Sequence, residues 1–198
     1  MRTAVAERRQ IAILFARQDS VYKDFPDCDV WDIDRDARLW PGGSPIVAHP
    51  PCAQWSRLYR FARVDEAEKA LAPWAIAQVR KFGGVLEHPY KSRLWKELSL
   101  PLGNKRDEYG GFTVAMPQWW FGHPANKATW FYICGVDPAQ LPPVPLKLGT
   151  PDKCVSPSVG QRGLKEMKKT ERTRTHLAMA EWLVSTARLC STPQIAQR

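Results

Sequence analysis

A nucleophile, a carboxylate and an ammonium group each sit beside an apolar run in this chain, in motifs around Cys52, Glu87 and Lys127. Cys52 lies in His49-Pro50-Pro51-Cys52-Ala53-Gln54-Trp55-Ser56, directly after Pro45-Ile46-Val47-Ala48. The apolar run reads as a buried strand, and the two prolines end it because proline donates nothing to a sheet ladder. Residues 54–59 read as the opening of a helix, which places Cys52 on a strand-to-helix turn. A helix N-terminus favours the thiolate, the nucleophilic form of cysteine. The competing reading is an inert buried cysteine, the common state of a free thiol. Val85-Leu86-Glu87-His88-Pro89 reads as a strand ending in a carboxylate. Lys127 closes the aromatic-basic stretch that starts at Gln118-Trp119-Trp120 and precedes the apolar strand 128–134.

The elements that must position these groups alternate along the chain. Residues 11–16 form a continuous apolar run, the pattern of a central parallel strand. Residues 28–34 read as a second strand, with Asp32, Asp34 and Asp36 at its C-terminal end, where open α/β sheets bind ligands. Those acids suit ribose hydroxyls or a metal, or form a solvated acidic loop. Acids at 65–68 open a helix that Gly83-Gly84 closes, and Pro73 is expected to kink it or start a new segment. A short amphipathic helix spans 91–98. Residues 136–161 hold six prolines and read as a long surface loop, and 162–174 as a basic segment that is a phosphate-contacting arm or a solvated face. Residues 175–189 close the chain as an amphipathic helix whose stripe of Leu177, Met179, Trp182, Leu183 and Leu189 packs the core. The expected fold is one α/β domain over 1–198, Rossmann-like, with a mostly parallel sheet. Loops after its strands gather at one edge, so Cys52, Glu87 and the 122–127 loop are expected to converge on one cleft.

Composition narrows the partners. The 29 Lys and Arg against 20 Asp and Glu leave a net charge of +9, which suits a polyanion, DNA or a nucleotide first. The five cysteines are widely spaced with no CxxC, so neither a disulfide framework nor a zinc ribbon is expected, and no metal. No stretch is long and apolar enough to span a membrane, and residues 11–16 are too short for a signal peptide. The chain reads as cytoplasmic, with no protein partner implied.

Three motifs in this order resemble those of DNA cytosine-5 methyltransferases, in the shortened form encoded by phages. Pro51-Cys52-Ala53-Gln54-Trp55-Ser56 is similar to that family's nucleophile motif, and Leu86-Glu87-His88-Pro89 to its Glu-Asn-Val strand end. The stretch from Gly122 to Thr129, Gly-His-Pro-Ala-Asn-Lys-Ala-Thr, looks like its Gly-x-Pro-Gln-x-Arg-x-Arg motif, with Lys127 at an arginine position. Leu14-Phe15-Ala16 resembles the start of its cofactor loop, although Phe15-Ala16-Arg17-Gln18-Asp19 replaces the glycine-rich sequence. The segment from Asp36 to the Pro-Cys turn is too short for the family's third strand, and the stretch between Lys127 and the last helix is too short for its usual target-recognition domain.

The resemblance implies methyl transfer from S-adenosylmethionine to C5 of cytosine in DNA or a nucleotide, through a Cys52 thiolate adduct at C6. It implies that Glu87 bonds the N3 and amine edge, that Lys127 steadies the base or a phosphate, and that Phe15, Asp32 and Asp34 serve the cofactor. Substrate contacts are expected from Pro51, Trp55, Ser56, His88, His123 and Asn126, with Trp55, Trp119 and Trp120 available to stack a base. Two other readings stay open: a non-methylating pyrimidine-modifying enzyme on the same scaffold, and an inactive nucleic-acid-binding protein. A zinc deaminase needs Pro-Cys-x-x-Cys, and position 55 is Trp.

Overall fold

The computed structural model describes residues 10–56, 59–61, 63, 65–155 and 163–193. Six strands form one sheet: β1 (Ile11–Leu14), β2 (Cys28–Trp31), β3 (Ile46–Ala48), β4 (Gly84–Pro89), β5 (Phe112–Pro117) and β6 (Ala128–Cys134). Their order is β2-β1-β3-β4-β6-β5. The pairs β1–β2, β1–β3 and β3–β4 are parallel, while β6 runs antiparallel to both β4 and β5. β2 is an edge strand, in keeping with the short connection to β3. The fold is thus α/β with a mostly parallel sheet, compatible with a Rossmann-like architecture.

Alternation along the strands divides the core between two faces. Ile11, Ile13, Val47, Val85, Phe131 and Ile133 pack with the helix α4 (Leu177–Leu189), chiefly through Met179, Trp182 and Leu183. Ala12, Leu14, Ile46, Ala48, Leu86 and Tyr132 face the helix α1 (Glu66–Phe82), through Ala72, Ala75, Ile76 and Val79. The result is a helix–sheet–helix sandwich. Leu177 and Leu189, expected in the core stripe of α4, are exposed because they lie at its two ends, beyond the sheet.

Asp65 caps α1 by accepting from the Glu68 amide at 3.0 Å, and Gly83 ends it at a φ of 80°. Contrary to expectation, α1 runs unbroken through Pro73. Proline there removes a bond to the carbonyl of Lys69, four residues earlier. The indole Nε1 of Trp55 donates to that carbonyl at 3.0 Å, satisfying the orphaned acceptor. Gly84 starts β4 so close to β3 that a Cβ would lie 2.1 Å from the Ile46 carbonyl oxygen.

Two short helices complete the scaffold, α2 (Arg93–Glu97) and α3 (Lys169–Arg172). A second, two-stranded sheet pairs β7 (Lys153–Cys154) with β8 (Lys165–Glu166), adding regular structure at the end of the proline-rich loop and within the basic segment. Arg162 and part of that loop lie outside the described residues. Among the described residues, no helix is long and apolar enough to cross a membrane.

Candidate active site

The order of the central strands reverses direction between β1 and β3, and the crevice beyond their C-terminal ends is the ligand position of such sheets. Phe15 and Ala16 leave β1 there, and the His49–Cys52 motif leaves β3. A cavity of about 830 Å³ opens at this place, and Cys52, Glu87 and Lys127 all line it. Three groups 75 residues apart in sequence are thus gathered on one wall, as the loop positions implied.

Glu87 lies near the end of β4, its side chain only 12% exposed. One carboxylate oxygen, Oε2, is 3.1 Å from His49 Nδ1, and the other accepts from Gln118 Nε2 at 3.0 Å. A carboxylate can only accept, so Nδ1 of His49 carries a proton. His49 Nε2 in turn meets the hydroxyl of the buried Tyr22 at 3.0 Å. Gln118 also donates to Thr129 Oγ1 at 3.1 Å, and its backbone amide donates to the Lys127 carbonyl at 2.9 Å. That last bond holds the two ends of the β5–β6 connection together, so Gln118 and Lys127 enter the cavity side by side. Burial alone would push the Glu87 carboxyl upward. The Lys127 ammonium and the His49 bond outweigh it and leave the group at about 2. Glu87 is therefore ionised at neutral pH.

Cys52 departs from expectation. No α-helix opens directly after Cys52 among the described residues: the Trp55 and Ser56 amides both bond to the Cys52 carbonyl, at 3.1 and 2.9 Å, in a single turn. Tyr59–Phe61 form a short 3-10 helix, and Arg57 and Leu58 of the expected helix lie outside the described residues. Without a helix terminus the thiol is not acidified. Burial raises its pKa, the Glu87 charge raises it further, and Lys127 only partly offsets them. Cys52 thus waits as a thiol beside an ionised carboxylate. Its turn is anchored on both sides: Gln54 Nε2 donates to the Asp65 carbonyl at 2.6 Å, and the Trp55 carbonyl accepts from the Arg93 amide at 2.9 Å.

The cavity rim is built from 15–24 and from the segment after α3. Arg17 donates through Nε to Asp19 at 2.7 Å and through Nη1 to Thr173 Oγ1 at 2.5 Å. Arg174 Nη2 reaches the other oxygen of Asp19 at 3.1 Å. The hydrogen bond from Arg17, then that from Arg174, lower the Asp19 carboxyl to about 2. Lys127 Nζ donates to the Arg172 carbonyl at 3.1 Å, tying the floor to the same segment.

A second cavity of about 460 Å³ lies across Phe15, Ala16 and Pro51, which line both. It carries the carboxylates of Asp32 and Asp36 and an apolar lining that includes Leu71 and Ile33, the latter 81% exposed. Asp32 accepts from Lys23 Nζ at 2.7 Å, and this bond foremost lowers its pKa. Phe15 has a φ of 62°, a left-handed conformation costly for a bulky side chain and concentrated at functional sites. Asp34 is exposed, accepts from Gln18 Nε2 at 3.0 Å, and does not line this cavity.

Several expected substrate contacts lie elsewhere. Trp55 is buried against α1, Trp119 is buried with Lys147 Nζ 3.8 Å from its ring centroid, and Trp120 packs on the core. None of the three lines either cavity described. His88 follows Glu87 in β4, so strand alternation turns it to the opposite face, where it is 3D-fixed at 2.8 Å from Ser92 Oγ. Burial pushes its pKa down to about 4. His123 is buried with Nδ1 2.7 Å from the Ala125 carbonyl oxygen and stabilises its own turn. Asn126 is exposed and Ser56 donates to the Ala53 carbonyl at 3.1 Å; neither lines the large cavity. Tyr22, Gln118 and Arg17 were not singled out as functional from sequence, whereas Arg174 closes the basic segment read as a phosphate-contacting arm or a solvated face. For Gln118 the signal was present: Phe112-Thr113-Val114-Ala115-Met116-Pro117 is a strand ended by proline, which puts Gln118 at the ligand edge. For Tyr22 and the arginines no local pattern marks the partner.

Comparison with protein-family models and with curated proteins finds no match for this chain.

Proposed function

We propose that the chain is a pyrimidine-modifying enzyme of the S-adenosylmethionine-dependent class, and within that class a cytosine-5 methyltransferase. The observation that carries this reading is the convergence of Cys52, Glu87 and Lys127 on one cavity at the C-terminal edge of the sheet. C5 of a pyrimidine becomes nucleophilic only after a group adds at C6. Cys52 Sγ forms that bond, and the C5=C6 electrons move toward N3. The thiol proton passes by way of the Glu87 carboxylate to N3, so no net charge is left on the ring. Glu87, held between His49 and Gln118, thus serves as a pre-oriented proton relay and accepts from the exocyclic amine. Lys127 stabilises charge that develops on the base, as a point charge rather than a fork. Loss of the C5 proton to solvent water expels Cys52 as the thiolate, and the N3 proton returns to it by way of Glu87, which restores the enzyme.

The second cavity fits the methyl donor's nucleoside. Its exposed Ile33 and half-buried Leu71 offer an apolar platform, and the Asp32 and Asp36 carboxylates suit ribose hydroxyls. Asp32, Asp36, Ile33 and Leu71 would hold the donor there, and it would supply an electrophilic methyl group. A second reading, C5 chemistry with another donor, is favoured by the Lys23–Asp32 ion pair, which already occupies the best-placed carboxylate. Labelled S-adenosylmethionine separates the two when supplied with duplex DNA, single-stranded DNA, deoxycytidine and its 5′-monophosphate. Label in a cytosine substrate, lost in Cys52→Ala, supports methyl transfer. No label from protein that still binds a cytosine substrate removes that reading.

A further inference from the structure

The large cavity is much bigger than a pyrimidine needs, and its rim carries an anion already. Asp19 places both carboxylate oxygens against arginines from distant parts of the chain: Arg17 Nε on one, and Arg174 Nη2 together with Arg17 Nη2 on the other. Thr173 Oγ1 accepts from the same Arg17 and donates to the Thr170 carbonyl at 3.2 Å, a partner that a phosphate oxygen would replace. Two guanidinium groups share one carboxylate, so the cluster keeps a net positive charge. All these groups are partly exposed, Arg17 at 38% and Arg174 at 64%, so an incoming ligand reaches them. The other charges around the cavity are committed or opposed: Lys23 is paired with Asp32, Lys127 faces Glu87, and Asp24 is a further carboxylate on the lining.

Arg17 and Asp19 also stand in Phe15-Ala16-Arg17-Gln18-Asp19, the stretch that replaces the glycine-rich cofactor loop. Their side chains turn to the large cavity, not the smaller one. An oxyanion held by two arginines and a hydroxyl is the coordination that phosphate prefers, since guanidinium offers paired donors to paired oxygens. A dianionic phosphate competes with Asp19 by charge and by its third oxygen.

We propose that this rim is a phosphate subsite, where Arg17, Arg174 and Thr173 hold the 5′-phosphate of a cytosine nucleotide whose base sits on Cys52, Glu87 and Lys127. The placement of the base depends on the function proposed above; the phosphate contacts do not. A free nucleotide and a single strand present the same group, so the substrate class is a phosphorylated cytosine nucleoside outside a duplex.

The test is calorimetric binding of deoxycytidine, deoxycytidine 5′-monophosphate, inorganic phosphate and a short cytosine-containing single strand to the full chain. The monophosphate is expected to bind at least tenfold more tightly than the nucleoside. Arg17→Gln with Arg174→Gln removes that margin while leaving nucleoside binding unchanged, and the exposed Arg174→Gln alone reduces it without threatening the fold. Asp19→Asn, which removes the competing anion, increases phosphate binding severalfold. Equal affinity for nucleoside and monophosphate, no detectable monophosphate binding, or a margin that survives the double substitution overturns the subsite. Arginine-dependent binding that favours the strand assigns the phosphate to single-stranded nucleic acid; binding that favours the monophosphate assigns it to the free nucleotide. Methyl transfer unaffected by the rim substitutions would overturn the subsite and leave the enzyme standing. Arginine-dependent phosphate binding without methyl transfer would do the reverse.

Discussion

The two cavities on either side of Phe15 and Pro51 are organised in opposite ways. The larger has a floor of groups from five segments joined by four bonds: Tyr22 to His49, His49 to Glu87, Glu87 to Gln118 and Gln118 to Thr129. Each polar atom there is oriented before any ligand arrives. The smaller has an exposed apolar platform and a carboxylate held by a surface lysine. Preorganisation reduces the rearrangement needed as charge develops, whereas a pliant site contributes mainly affinity. On the proposed function the larger cavity would carry the chemistry, and the smaller, donor side should tolerate change.

The largest expected effect follows from removing the nucleophile. Cys52→Ala should lower transfer by on the order of 10³-fold or more. Its melting temperature should stay within about 2 °C, because a partly exposed thiol leaves little void. A melting shift as large as the activity loss would move Cys52 back among the packing residues. Glu87→Gln should lower turnover by about 10²–10⁴-fold, since the amide cannot relay a proton. A loss confined to KM would instead make Glu87 a binding group.

Acid sensitivity should separate the floor from the rest of the protein. His88 is held neutral with its pKa down at about 4, so the unfolded chain takes up its proton first. Stability is then lost as pH falls from about 6.5 to 4, by about 2–3 kcal/mol. Glu87, depressed to about 2, adds a further loss as pH falls from about 4.5 toward 2. Urea midpoints measured across this range should show both stages, and His88→Gln should reduce the first, leaving the share of His123, whose pKa burial also pushes down to about 4. A midpoint unchanged between pH 6.5 and 4 would contradict the buried neutral histidine.

How far this contrast was readable from sequence depends on the range of the interactions. Strands such as Ile11–Leu14 and Gly84–Pro89 announce themselves by continuous apolar runs, and the loops after them locate Cys52 and Glu87. The edge where they meet follows from parallel-sheet geometry alone. Side-chain direction within a motif was harder to read. Glu87 and His88 are neighbours in one motif, yet alternation sends one to the cavity and the other to the opposite face. Trp55 looked like a stacking platform because it follows Cys52, but its indole is committed to the carbonyl that Pro73 orphans. The helix expected after Cys52 failed for a related reason: Gln54 and Trp55 bond to α1 instead of continuing a helix of their own. The Arg17–Asp19–Arg174 cluster joins positions 155 residues apart and leaves no local trace.

On the donor side the effects should be smaller. Asp32→Asn should weaken S-adenosylmethionine binding by roughly tenfold, one hydrogen-bonded carboxylate's share. A far greater loss would show that this side is as preorganised as the other. Asn126→Ala, at an exposed position away from the large cavity, should change transfer less than about twofold. A strong effect there would mean that the 122–127 loop folds over the substrate.

The central claim is that the cavity floor adds a thiol to C6 of cytosine, and proton exchange at C5 reports this without any methyl donor. In the adduct C6 is saturated and the double bond lies between C4 and C5, so C5 can take up a solvent deuteron and release its own proton before Cys52 leaves. With deoxycytidine 5′-monophosphate in D2O, proton NMR should show loss of the C5 signal at a rate proportional to enzyme, abolished by Cys52→Ala and slowed by Glu87→Gln. A C5 signal that persists in the presence of bound nucleotide, or exchange that survives in Cys52→Ala, would contradict the account.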